Sequence, residues 1–130
     1  MQLVEDPVWR RFWYPVAYAA DLRPGPLSRT LLGTPIVVWE SAPGRAAAAV
    51  DRCPHRDARL SQGWTCDGAV VCPYHGWRFG GDGTAVHIPQ TPERTTFPDR
   101  YALRTVQCES DGHVVWVCLD DAPLRPRPRM

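Results

Sequence analysis

Asp51-Arg52-Cys53-Pro54-His55-Arg56 and Cys72-Pro73-Tyr74-His75-Gly76-Trp77 are two versions of one arm, with sixteen residues between His55 and Cys72. Each arm offers one thiolate and one imidazole, both metal ligands once deprotonated. One residue separates the pair in the first arm and two in the second. Two such loops suit a centre with two metals. If each loop supplies one Cys and one His, each loop touches both metals and the facing pair encloses them. The competing reading is a structural zinc, which two Cys and two His satisfy as a tetrahedral set. Zinc knuckles usually pair Cys with Cys and His with His, with two or more residues inside each pair. Mixed pairs and a one-residue gap favour the two-metal centre.

The two arms closely resemble those of the Rieske domains of ring-hydroxylating and O-demethylating oxygenases. There, two Cys hold one iron of a [2Fe–2S] cluster and two His hold the other. The likeness extends to Phe12-Trp13-Tyr14-Pro15-Val16-Ala17 and to the segment from Gly25-Pro26-Leu27 through Gly33-Thr34-Pro35-Ile36-Val37-Val38-Trp39. It also takes in Ile88-Pro89-Gln90 and Val114-Val115-Trp116-Val117, and so covers residues 8–124. The resemblance is to the N-terminal domain of an alpha subunit of the vanillate O-demethylase type, without its catalytic domain. It implies a [2Fe–2S] cofactor with Cys53, His55, Cys72 and His75 as ligands. Neutral imidazole in place of thiolate lessens the negative charge that opposes reduction. The potential is expected above the roughly −400 mV of plant-type ferredoxins, within about −150 to +300 mV.

Departures from related patterns refine this. Respiratory Rieske proteins carry an extra Cys in each loop, joined as a disulfide; the matching positions here are Ala58 and Tyr74. Trp77 stands where those proteins place a hydroxyl donor. Fewer hydrogen bonds to cluster sulfur favour a lower potential. Asp57 occupies a position often held by Gly, and Gly80 one often held by Asp.

Around the ligands, Pro54 and Pro73 are expected to stiffen their loops, and Gly76 to let backbone approach the cluster. Tyr74 and Trp77 are expected to shield it from water. Arg56 and Arg78 are candidate docking contacts for an acidic partner, against the simpler reading of solvated surface charge. His87 and His113 are read as structural or exposed, with no metal role. The resemblance also implies that the imidazole edges of His55 and His75 face solvent and form the electron exit, with reduction coupled to proton uptake near neutral pH.

At 130 residues the chain is read as one domain, and a net charge of +1 favours neither nucleic acid nor a membrane surface as partner. All fifteen basic residues are Arg, with no Lys or Asn, a bias that suits a GC-rich bacterial genome. The N-terminus holds Glu5, Asp6, Arg10 and Arg11, which argues against a signal peptide or membrane span. Cys66, Cys108 and Cys118 are read as small thiols in a reducing, cytoplasmic setting.

Short apolar runs separated by turn residues predict an all-β, Rieske-type antiparallel sandwich or small barrel with a cluster-binding insertion. Expected strands are Trp13–Tyr18, Thr30–Leu32, Ile36–Glu40, Ala46–Asp51, Ala69–Val71, Tyr101–Glu109 and His113–Leu119. A helical turn is expected near Asp6–Arg11, and a tight turn at Gly80-Gly81-Asp82-Gly83. Asp111-Gly112 reads as a two-residue hairpin turn, which sets Cys108 opposite Val115 and Cys118 near Thr105, on opposite faces, so no bridge is expected. The Rieske domain is expected over 1–124, with a basal part at 1–51 and 91–120 and a cluster-binding part at 52–90. The Pro/Arg-rich residues 125–130 read as an extended tail.

The resembling oxygenases act at a mononuclear iron held by two His and a carboxylate in a further domain. Only His87 and His113 remain here as spare imidazoles, so no catalytic residue is assigned to this chain. The expected role is electron transfer, from a flavin-containing reductase or ferredoxin to a mononuclear non-heme iron oxygenase subunit or domain. The alternatives are a free-standing Rieske-type ferredoxin and a redox-sensing or zinc-stabilised binding module.

Overall fold

A computed structural model describes residues 6–55 and 57–128. The strands in chain order are β1 (Tyr14–Tyr18), β2 (Leu27–Leu31), β3 (Thr34–Ala42), β4 (Arg45–Val50), β5 (Trp64–Cys66), β6 (Ala69–Val71), β7 (Arg78–Phe79), β8 (Ala85–His87), β9 (Thr105–Ser110) and β10 (Val114–Cys118). They form two antiparallel sheets. The larger runs β1-β10-β9-β4-β3-β2 and the smaller β5-β6-β7-β8. Among the described residues the helical pieces are short 3₁₀ turns, and no helix is long and apolar enough to cross a membrane.

The larger sheet curls until its edges meet. Arg29 on β2 donates from Nε to the carbonyl of Val16 on β1 at 2.8 Å, so the architecture is a nearly closed barrel with a small sheet against it. Strand β3 shows why Ile36-Val37-Val38-Trp39 is an unbroken apolar run. Successive side chains point to opposite faces. Ile36 and Val38 join Leu22, Ala48, Val115, Val117 and Leu119 in one core. Val37 and Trp39 join Ala47, Ala49, Leu60, Val70, Phe79 and both arm cysteines in the other. A strand buried on both faces has no polar alternation to show. The small side chains of Ala47, Ala48 and Ala49 keep β4 thin between the two cores. Trp39 also ties the sheets together, donating from Nε1 to the carbonyl of Gly68 at 3.1 Å.

The helical turn expected near Asp6–Arg11 is present as the 3₁₀ turn Pro7–Arg11, capped by Asp6, whose side chain accepts from the Val8 N–H at 3.0 Å. The turn at 80–83 also forms: Gly80 N–H donates to the Thr84 carbonyl at 2.9 Å. A Cβ on Gly83 would sit 2.5 Å from Thr105 Cγ2, so this turn packs tightly on β9.

Several boundaries differ from expectation. Strand β2 ends at Leu31 because Leu32 and Gly33 make a two-residue turn with φ of 49° and 81°. The predicted strand from Tyr101 begins only at Thr105, since Asp99–Tyr101 is a 3₁₀ turn and Leu103 N–H bonds the Gly83 carbonyl. Strands β5, β7 and β8 are two or three residues long and left no readable pattern in the sequence. The β9–β10 register is also corrected. Cys108 pairs with Val117 and Cys118 with Gln107. Asp111 Oδ1 accepts from the N–H groups of His113 (2.8 Å) and Val114 (2.9 Å), which makes a wider loop than a two-residue turn. The compact Asp-Gly hairpin lies elsewhere: Asp67-Gly68, with φ of 51° and 82°, joins β5 to β6. Cys108 and Cys118 still fall on opposite faces and stand as thiols.

Candidate metal centre

The arms grow from equivalent strand ends, the first after β4 and the second after β6. Their backbones close in the same way. In the first, Cys53 N–H donates to the Ala58 carbonyl (2.8 Å) and Asp57 N–H to the Cys53 carbonyl (2.9 Å). In the second, Cys72 N–H donates to the Trp77 carbonyl (2.8 Å) and Gly76 N–H to the Cys72 carbonyl (3.2 Å). Asp57 is therefore the counterpart of Gly76. Both take left-handed backbone, with φ of 57° and 73°. This accounts for Asp at a position where Gly is common, because Asp tolerates that region better than most residues.

His75 also has a positive φ, 72°, in a region that a residue with a Cβ enters only at a cost. The closed loop holds it there, and Gln90 Nε2 reaches its carbonyl at 3.5 Å. Tyr74 N–H points to Cys72 Sγ at 3.4 Å, a donor to the sulfur from within its own arm.

The four candidate ligands separate by depth. Cys53 and Cys72 are fully buried within the core between the sheets. His55 and His75 are exposed, with ring centroids 5.3 Å apart. Trp77 is buried and lies against His55, with centroids 4.4 Å apart and planes 8° from parallel. Tyr74, half exposed, stacks on His75 at 4.8 Å. Pro54 and Pro73 are exposed, and Gly76 lies 3.3 Å from the Pro89 ring at the point where a Cβ would project.

Among the described residues, no three His, Cys, Asp or Glu side chains converge on one ion position. A two-iron cluster asks for two at each iron, whereas tetrahedral zinc asks for four around one point. Buried thiols below exposed imidazoles fit a cluster whose inner iron takes sulfur ligands and whose outer iron takes nitrogen ligands.

Asp51, absent from the sequence-level site, braces the first arm. Its buried carboxylate accepts from Ser61 N–H (2.9 Å), Ser61 Oγ (2.6 Å) and the Arg59 guanidinium (3.3 Å). Arg59 in turn reaches Ser28 Oγ at 3.0 Å. Of the two expected docking arginines, Arg78 lies half buried on β7 opposite His87, and Arg56 lies outside the described residues. His113 is exposed beyond β9. Burial, and then the neighbouring Glu109 carboxylate, push the Cys108 thiol up to about 12, so it stays protonated and unreactive.

Fold and site together define a small β-barrel domain with two Cys–His arms side by side, their thiols buried and their imidazoles exposed. The chain belongs to the Rieske [2Fe–2S] domain family, whose model matches residues 12–108, and its cofactor is a [2Fe–2S] cluster. The dicamba O-demethylase oxygenase component of Stenotrophomonas maltophilia is 45% identical over 115 residues, covering 88% of this chain and 33% of the relative. The chloroplastic protein TIC 55 of Arabidopsis thaliana is 37% identical, over 88% of this chain and 21% of its own length. The solved structure of Pseudomonas putida NdmB superposes with a TM-score of 0.82 at 34% identity, over 94% of this chain and 39% of that one. The chain thus spans well under half the length of the relatives it matches.

Proposed function

We propose that Cys53 and Cys72 hold the inner iron, that His55 and His75 hold the outer one, and that the domain passes single electrons in a Rieske oxygenase system. The observation that carries this reading is the division by depth, with thiols sealed in the core and imidazoles side by side at the surface. When bound, the cluster supplies one-electron redox chemistry. The chain's own residues do the rest. The core around Cys53 and Cys72 excludes water, Trp77 and Tyr74 orient the two imidazoles, and the exposed ring edges give a partner short access.

The electron donor is a flavin-containing reductase or ferredoxin. The acceptor is a mononuclear non-heme iron site on another domain or chain, a reading supported by the match to a relative named as an oxygenase component, of which this chain covers 33%. The thiols Cys66, Cys108 and Cys118 support a reducing, cytoplasmic setting.

The test is iron, acid-labile sulfide and electron paramagnetic resonance on protein purified without oxygen. Two irons and two sulfides per chain are expected, with a Rieske-type signal on reduction that Cys53→Ser or Cys72→Ser abolishes. One zinc per chain and no sulfide would overturn the assignment. Mass spectrometry of what copurifies then separates the roles. A stoichiometric chain with a two-His-one-carboxylate motif supports the oxygenase component, and recovery alone or with a flavin reductase makes the domain a free-standing ferredoxin.

A further inference from the structure

Two hollows flank the exposed imidazoles and share a wall of His55, Trp77 and Tyr101. One, about 310 Å³, is completed by His75, Ile88, Gln90, Thr91 and Arg94. The other, about 370 Å³, is completed by Pro54 and Arg100. Among the described residues, each hollow therefore carries one guanidinium and neither is lined by a carboxylate. Glu93 and Asp99 lie on the same segment but line neither hollow.

The two guanidiniums are placed alike. Arg94 sits over the Phe97 ring at 5.4 Å and Arg100 over the Tyr101 ring at 5.0 Å. Ring faces attract the cation and limit its wandering. A guanidinium pre-set in this way loses less freedom when a carboxylate arrives. Two polar groups lie behind this surface: Thr91, which lines the first hollow, and Trp77, which lines both, have Oγ1 and Nε1 buried with no hydrogen-bond partner among the described residues. A buried donor left unpaired costs free energy that an incoming acceptor recovers.

The geometry points to a docking surface for an acidic redox protein, with Arg94 and Arg100 as paired anchors on either side of Tyr101 and one partner carboxylate seated in each hollow. This rests on the electron-transfer reading above and deepens it. It adds to the expected Arg56 and Arg78 two arginines that share a wall with His55. A protein partner is favoured over a free anion because two cationic hollows on one ridge match two carboxylates on a common surface.

The test uses the cluster-loaded protein and two probe proteins, cytochrome b5 with an acidic surface and cytochrome c with a basic one. In each reaction one electron leaves the reduced cluster and converts ferric haem to ferrous haem, with no atom transferred. Stopped-flow mixing gives the second-order rate constant as salt is raised, and titration of the oxidised pair gives affinity without turnover. The rate with cytochrome b5 is expected to fall steeply with salt, while that with cytochrome c does not. The double variant Arg94→Gln/Arg100→Gln should slow the cytochrome b5 reaction by about tenfold and flatten its salt dependence. It should also weaken the titrated affinity, with the cluster spectrum and midpoint potential unchanged. Thr91→Val, a nearly isosteric change, should weaken affinity without altering the salt slope. An unaltered rate, salt slope and affinity in a normally loaded double variant would overturn the docking surface alone. Absence of a Rieske signal in the wild-type protein would instead overturn the reading on which it rests.

Discussion

The indole of Trp77 lies flat on the imidazole of His55, with centroids 4.4 Å apart and an interplanar angle of 8°. One side chain thus serves two levels of the structure, filling the core between the sheets and fixing the plane of a candidate ligand. Trp77→Ala is expected to cost about 3–5 kcal/mol of stability, as for other buried Trp truncations. It should also speed cluster loss. Trp77→Phe keeps a stacking ring and should lose markedly less. Urea unfolding and the decay of cluster absorbance check both outcomes, and equal behaviour of the two variants would refute the stacking role.

Asp51 anchors the first arm through Ser61 and Arg59. Asp51→Ala leaves the Ser61 N–H and hydroxyl without their acceptor and is expected to cost about 1–3 kcal/mol. Proteolysis should then nick the loop between Arg52 and Gln62 sooner than in the wild type. The brace acts on the arm through Ser61 and Arg59, so a cluster that still assembles, though less durably, is the predicted phenotype.

Gly63 is required by close approach. A Cβ there would fall 1.8 Å from the Val71 carbonyl oxygen and 3.2 Å from Pro73 Cδ. The obstruction is backbone, so the strand leading into Cys72 must shift. Gly63→Ala is predicted to cost about 3 kcal/mol through overpacking and to lower iron content per chain. Gly44→Ala, where a Cβ meets nothing within 4 Å, is the contrasting control, with only its φ of 75° to strain. Comparable iron loading in the two variants would contradict this account.

Asp111 supplies a pH-dependent test. Hydrogen bonds from the Val114 and then the His113 backbone N–H hold its carboxyl below the ordinary 3.8. The folded value is depressed, so the contribution to stability is full above the unfolded value and is lost as pH falls through the folded one. The melting temperature of Asp111→Ala should lie below that of the wild type at neutral pH. The gap should close as pH falls below 3.8. A gap that persists unchanged at low pH would show that the loop is held by something other than the carboxylate.

Some of the site was legible because the chemistry is local. Each arm packs a thiol and an imidazole within four residues, and few other functions ask for that twice. The equivalence of Asp57 and Gly76 had a visible trace, an acidic residue where Gly is common, but its meaning needed the backbone angles. The Asp51 brace had none, because a carboxylate ten residues from Ser61 looks like any surface charge until the loop folds back on it. The arginines proposed for docking went the same way. Arg78 sits beside the second arm in sequence, yet on β7 it lines neither hollow, whereas Arg94 and Arg100 arrive from a distant segment.

By itself, the sequence determined the all-β class, the family and the pairing of Cys with His in two loops. These follow from residue type and short spacing, which are properties of the chain before it folds. The tertiary structure decided the β9–β10 register, the short strands of the small sheet, the burial of the thiols beneath the imidazoles and the cationic hollows beside them. The physical reason is range. Register and depth are set by side chains that meet across sheets, such as Trp39 with Gly68 and Trp77 with His55, and those contacts exist only once both cores have closed.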